Sequence, residues 1–153
     1  MKPLSRRDAL KYSAAGVALA WLPAGCGGPD EGPGPIKLDR DACDFCRMLI
    51  SEIRYAAEIR GGQNNKLYKF DDVGCAVLFL SRTAWATESG TKFWAMNHQD
   101  GQTWLDARQA VYRQGLPSPM GYGFAAVPAG TAATVSYDVM KDATLNKGTG
   151  TNG

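Results

Sequence analysis

Ile53, Tyr55, Ala57 and Ile59 alternate with Arg54, Glu58 and Arg60, the two-residue period of a half-buried strand. Gly61-Gly62-Gln63-Asn64-Asn65 is a turn cluster, and Leu67-Tyr68-Lys69-Phe70 returns as the second strand of a hairpin. The pattern then changes period. Val73, Ala76, Val77 and Leu80 recur at helical spacing behind Asp72, a good N-cap, so a helix is predicted from Asp72 to about Ala84, packed on the hairpin. Lys92–Met96 and Thr103–Leu105 flank the turn His98-Gln99-Asp100-Gly101, a second hairpin. Ala110–Arg113 and Gly123–Val127 read as two further strands around the Gly- and Pro-rich loop of residues 115–121. Thr131–Asp142 reads as a closing helix. The fold expected is α+β: an antiparallel sheet built from ββα(β)-like units with one or two packed helices.

The ends carry no such pattern. Lys2, Arg6, Arg7 and Lys11 precede an apolar run from Ala14 to Leu22, and Ala24-Gly25-Cys26 follows. Small residues before a cysteine are the cleavage signal of a lipoprotein, with Cys26 as the lipidated first residue of the mature chain. The run is far short of the roughly 20 apolar residues a spanning helix needs. Pro23 stands where an aliphatic residue is usual. Ser5-Arg6-Arg7-Asp8-Ala9-Leu10-Lys11 resembles a twin-arginine export signal, with Ala9 in the place of the preferred Phe. The expected organisation is therefore a signal over 1–25, a lipidated cysteine and Gly/Pro-rich tether over 26–35, a folded domain over 36–142 and a disordered tail over 143–153. The location implied is periplasmic, anchored by lipid to the inner or outer membrane.

Processing changes the charge picture. The chain has 17 Lys and Arg against 15 Asp and Glu; removing residues 1–25, with four bases and one acid, leaves 13 against 14. The basic balance belongs to the signal, so nothing electrostatic favours nucleic acid as a partner.

The candidate chemistry is sulfur. Cys43-Asp44-Phe45-Cys46-Arg47-Met48 holds two thiols and a thioether within six residues. Met120 stands in Ser118-Pro119-Met120-Gly121-Tyr122-Gly123, a loop stiffened by proline, where a sulfur is better presented than on a core strand; it reads first as a ligand and second as a hydrophobic plug. Soft thiolate and thioether donors suit copper(I). Cys43, Cys46, Cys75 and His98 would also make a Cys3His zinc set, although Cys75 and His98 lack the tight pair spacing of structural zinc ligands. Spacing alone does not separate the two metals. Cys75, among Val73, Ala76 and Val77, reads first as a packing thiol and second as a ligand. Met96 reads as core, Met48 as either a ligand or the first core residue of a strand, and His98 as a turn residue that is a lesser ligand candidate. A CxxC pair in an exported protein is also compatible with a disulfide or a redox-active couple. Against a thioredoxin-like site, this one precedes a strand rather than opening a helix. No Ser/His or Cys/His pairing and no acid–base carboxylate pair is visible, so no enzyme activity is expected.

Taken together, Cys26 after its signal, Cys43-Asp44-Phe45-Cys46-Arg47-Met48-Leu49-Ile50, Tyr68-Lys69-Phe70-Asp71-Asp72-Val73-Gly74-Cys75, Trp104-Leu105-Asp106-Ala107 and Ser118-Pro119-Met120-Gly121-Tyr122-Gly123-Phe124 resemble the NosL family of copper chaperones for nitrous oxide reductase. The resemblance covers Cys43 to about Val139. It implies an α+β fold of ββαβ-like units that carries one copper(I) for the reductase's metal centres, working with an ABC-type membrane complex and its periplasmic protein. It points to Cys46 and Met48 as ligands first, then Met120 and Cys43, and leaves Cys75 and His98 unassigned. A thiol–disulfide oxidoreductase and a zinc-stabilised adaptor lipoprotein are the alternative functions.

Overall fold

The computed structural model describes residues 31–149; the expected signal over 1–25, Cys26 and residues 150–153 lie outside them. Five-residue strands β1 (Ala57–Gly61) and β2 (Lys66–Phe70) form the expected hairpin, with Ala57 opposite Phe70 and Gly61 opposite Lys66. Helix α1 (Val73–Ser81) follows, capped by the Asp72 carboxylate. Strands β3 (Lys92–Met96) and β4 (Trp104–Asp106) complete an antiparallel sheet of order β2-β1-β3-β4. Strands β5 (Val111–Gln114) and β6 (Phe124–Val127) pair separately, and helix α2 (Tyr137–Thr149) closes the chain. The fold is α+β, as expected, with the strands divided between two sheets rather than one.

Helix α1 is apolar on nearly every side and is the centre of the domain, touching β1, β2, β6 and α2. Phe70, Phe93, Ile59, Val127 and Tyr112 are fully buried around it, each contributing about 1.5–3 kcal/mol by leaving water.

Four boundaries differ from expectation, each for a local reason. The first strand starts at Ala57, not Ile53, because the Glu52 carboxylate accepts the Arg54 N–H and winds Ile53–Tyr55 into one 3-10 turn. Helix α1 ends at Ser81 rather than near Ala84. The Ser81 and Thr83 hydroxyls take the Leu78 and Phe79 carbonyls, which a further turn would have used. The closing helix begins late, since Val135 is extended and exchanges both backbone hydrogen bonds with Tyr112. It also runs on through Thr149, so the expected tail over 143–153 is helical for its first seven residues. Composition suggested disorder there, but Thr144 is fully buried, and at Gly148 a Cβ would stand only 2.7 Å from Leu78 of α1, so only glycine fits without a shift.

The expected tether is also shorter than 26–35. The Gly34 N–H donates to Glu58 (2.7 Å), the Arg60 guanidinium to the Gly32 carbonyl (2.9 Å), and Lys92 pairs with Glu31 (2.6 Å). Residues 31–35 therefore lie against the sheet. They cover Glu58, whose carboxyl is fully buried and held up to about 7, chiefly by burial. Between about pH 4.5 and 7 the folded chain keeps a proton at Glu58 that the unfolded chain has lost, so stability falls as pH rises through that window. Glu58→Gln should flatten this part of the melting-temperature profile and raise stability above pH 7 relative to the parent. An unchanged slope would remove Glu58 as its source.

Candidate metal centre

Cys43 sits where the chain turns back on itself. The turn is closed by the Cys43 N–H to the Met48 carbonyl (2.8 Å) and the Arg47 N–H to the Cys43 carbonyl (3.0 Å), and Arg47 takes a left-handed conformation, φ 68°. Both CxxC sulfurs are thereby brought to one side. The turn is pinned to β2 by the reciprocal bonds Asp44 N–H to Lys69 carbonyl and Lys69 N–H to Asp44 carboxylate, each 2.8 Å. The same strand leads into Asp71-Asp72 and α1, whose third residue is Cys75. Hairpin and helix thus deliver the third sulfur to the first two.

The Sγ atoms of Cys43, Cys46 and Cys75 all lie within 4.8 Å of one another, and all three cysteines are reduced. Cys43 and Cys75 are fully buried, while Cys46 is half-buried and gives the cluster its opening. Cys43 is the thiol of the group whose ionised form is most favoured. The neighbouring Cys75 thiol, then the backbone N–H groups of Cys46, Asp71 and Phe45, favour its ionised form and hold it down to about 5 against the cost of burial. Burial pushes Cys46 up, partly offset by the Met48 N–H aimed at its sulfur. Cys75 is pushed far up, first because it donates to Cys43 and then by burial. Three thiols this close resist losing all their protons together, and binding a soft cation would release them.

A second layer comes from the β5–β6 loop. The Asp72 carboxylate is fully buried; it caps α1 through the Gly74 N–H (2.8 Å) and accepts from the Ser118 hydroxyl (2.5 Å) and the Met120 N–H (3.3 Å). The Ser118 hydroxyl in turn accepts the Gly123 N–H (2.9 Å), and Lys147 of α2 donates to the Gly121 carbonyl. Tyr122 lies directly over Gly74, where a Cβ would come 2.3 Å from its ring. Its hydroxyl is pushed up to about 12, chiefly by burial. One carboxylate therefore fixes both the helix start that carries Cys75 and the loop that carries Met120.

The sequence-derived candidates are sorted unequally. Cys43 and Cys46 come together as expected. Cys75 joins them: it is core-buried, as its packing role required, yet its sulfur lies within 4.8 Å of the other two. Met120 is half-buried against the core on its anchored loop. Met48 is 59% exposed, which excludes its reading as a core residue, while Met96 is core at 4%. His98 is not a member of the cluster; its ring packs on Tyr55 at 4.8 Å and its backbone N–H donates to the Ala126 carbonyl, so the Cys3His set is not assembled. The anchoring of Ser118 and Met120 by Asp72 had no sequence signal beyond the N-cap itself.

No family model matches the chain, and no curated protein matches it. Among solved structures it is similar to the crystal structure of the copper chaperone NosL from Shewanella denitrificans, with a TM-score of 0.50 and 14% identity over 78% of this chain and 89% of that one. At that identity the likeness establishes the fold.

Proposed function

We propose that this protein is an exported, lipid-anchored copper(I) chaperone that supplies copper for the maturation of nitrous oxide reductase, and not an enzyme. The observation that carries this reading is the cluster of three thiols within 4.8 Å, open to the surface at Cys46. Its donors are soft, which favours copper(I) over harder divalent ions, and His98 stands outside it, which disfavours the closed Cys3His zinc site. The similarity in fold to a protein described as a copper chaperone supports it. The carrier role follows from ligand chemistry: copper(I) accepts a variable number of sulfur ligands, so an incoming donor can join at the Cys46 side before another leaves. Cys43, Cys46 and Cys75 form the core of the proposed site, with Met48 and Met120 as exchangeable thioethers at its edge. An ABC-type membrane complex and its periplasmic protein are the proposed partners.

Anaerobic titration of the reduced protein with copper(I) and zinc in competition should give one copper(I) bound in preference to zinc. Met48→Leu and Met120→Leu conserve volume and should cost less than ~1.5 kcal/mol of stability, while copper(I) affinity falls about tenfold, or about 1.4 kcal/mol. Met96→Leu, a core substitution, should leave copper affinity unchanged. Parent-like affinity in both Met48→Leu and Met120→Leu would remove the thioethers from the site.

The anchor is tested separately. Cys26→Ser should leave the protein soluble on fractionation, because the diacylated terminus supplies the two chains that stable anchoring requires. Retention on membranes after a carbonate wash would contradict a lipid anchor at this residue.

A further inference from the structure

Helices α1 and α2 pack on one another. At Gly148 they are in contact, as described above. Towards the start of α2, Tyr137, Lys141 and Leu145 stand at four-residue intervals and so share one face. Between that face and the C-terminal half of α1 lies a cavity of about 480 Å³, within the roughly 300–1,000 Å³ of small-molecule sites. Val77, Leu80, Ala86 and Leu145 make its floor apolar. Its wall is cationic: Arg108 and Lys141 both line it, and among the described residues no carboxylate does.

These charges are not equivalent. Lys141 pairs with Asp138 at 3.0 Å on the outer surface and feels Asp142 as well. Arg108 has no carboxylate partner among the described residues. It donates to the Thr91 carbonyl at 3.1 Å and, weakly, to the Ala86 carbonyl at 3.5 Å, and stands over the Phe93 ring. Carbonyls orient the guanidinium without neutralising it. Beside it is the Tyr137 hydroxyl, kept protonated by burial and able to donate. An apolar floor with an uncompensated guanidinium, an ammonium and a phenol on its walls has the complementarity of an amphipathic anion.

We infer that this cavity, separate from the thiol cluster, is a binding site for an aliphatic chain with an anionic head, the chain lying on Val77, Leu80, Ala86 and Leu145 and the head meeting Arg108, Tyr137 and Lys141. A fatty acid and a phosphorylated lipid fragment both offer this chemistry. The inference does not depend on copper binding.

The test is calorimetric titration of the copper-free full chain with decanoate, decyl phosphate and decanol, each below its aggregation concentration. One equivalent of decanoate or decyl phosphate should bind at least about tenfold more tightly than decanol, as a charge-assisted hydrogen bond to the head requires; the tighter of the two identifies the source. Arg108→Gln should weaken the anion about tenfold and leave decanol unchanged. Lys141→Gln serves in its place if Arg108→Gln does not fold. Leu145→Trp, which fills the cavity, should abolish binding of all three ligands with the far-UV spectrum retained. Equal affinity for decanol and the anions, no measurable binding of any ligand, or parent-like anion affinity in the folded cation variant would each overturn the site.

Discussion

Cys75→Ser should all but abolish high-affinity copper(I) binding while leaving a folded domain. Serine nearly matches cysteine in volume, and its hydroxyl would stand beside the Cys43 sulfur, within the cluster's 4.8 Å. The cost in stability should stay near 1–2 kcal/mol, that of a hydroxyl in an otherwise apolar place. Copper sees a different change, because a neutral hydroxyl is a hard donor that does not replace a thiolate. Sharing a thiolate site's roughly 10–16 kcal/mol among three or four ligands gives about 3 kcal/mol for each, a weakening of roughly a hundredfold or more. Cys46→Ser should match it in copper affinity with a smaller stability loss, since Cys46 is only half-buried. Competition against a copper(I) chelator reads the affinity, and thermal melting of the apo protein reads the fold. If Cys75→Ser holds copper as tightly as the parent, Cys75 is a packing thiol and the three-sulfur site is reduced to two.

The same residue shows what a sequence can and cannot place. Cys75 lies in an apolar helical run, and a buried thiol there is explained by packing alone; nothing in the periodicity tells which neighbours the buried face meets. The proximity to Cys43 and Cys46 arises from the Asp44–Lys69 pairing of the CxxC turn with β2, a contact 25 residues apart in sequence. Local signals fared better. The hairpin of β1 and β2, the Asp72 N-cap, the hairpin of β3 and β4 and the strands around the 115–121 loop were all legible, because turn chemistry and period are properties of adjacent residues. The separation of β5 and β6 into their own sheet was not, since strand pairing depends on how α1 and α2 are placed. Where local reading failed, a longer-range contact overrode it. Val135 pairs with Tyr112 instead of joining a helix, and Gly148, which composition marked as part of a flexible tail, is the point where α2 meets α1. His98 was an available imidazole only while its position was unknown.

Asp72→Ala should be the most destabilising single change at the site and should also loosen the methionine loop. The carboxylate is fully buried and satisfies three donors from two chain segments, namely Gly74 N–H, Ser118 Oγ and Met120 N–H. Burial raises its pKa, while those donors pull the other way, so the charge is tolerated only because they are present. Losing the cap alone costs about 1 kcal/mol, and leaving the hydroxyl and the second N–H buried without an acceptor adds about 1–3 kcal/mol. The sum, about 3 kcal/mol, corresponds to a melting-temperature drop of roughly 10 °C for a domain of this size. Ser118→Ala removes one donor and leaves the cap, so about 1 kcal/mol is expected from it. In a double-mutant cycle the two changes should be strongly non-additive, because the second removes a bond the first has already broken. Copper affinity separates the roles: Asp72→Ala should lower it further in the parent than in a Met120→Leu background, where the loop has no thioether left to position. Equal losses in both backgrounds would confine Asp72 to holding the fold, with no part in presenting Met120.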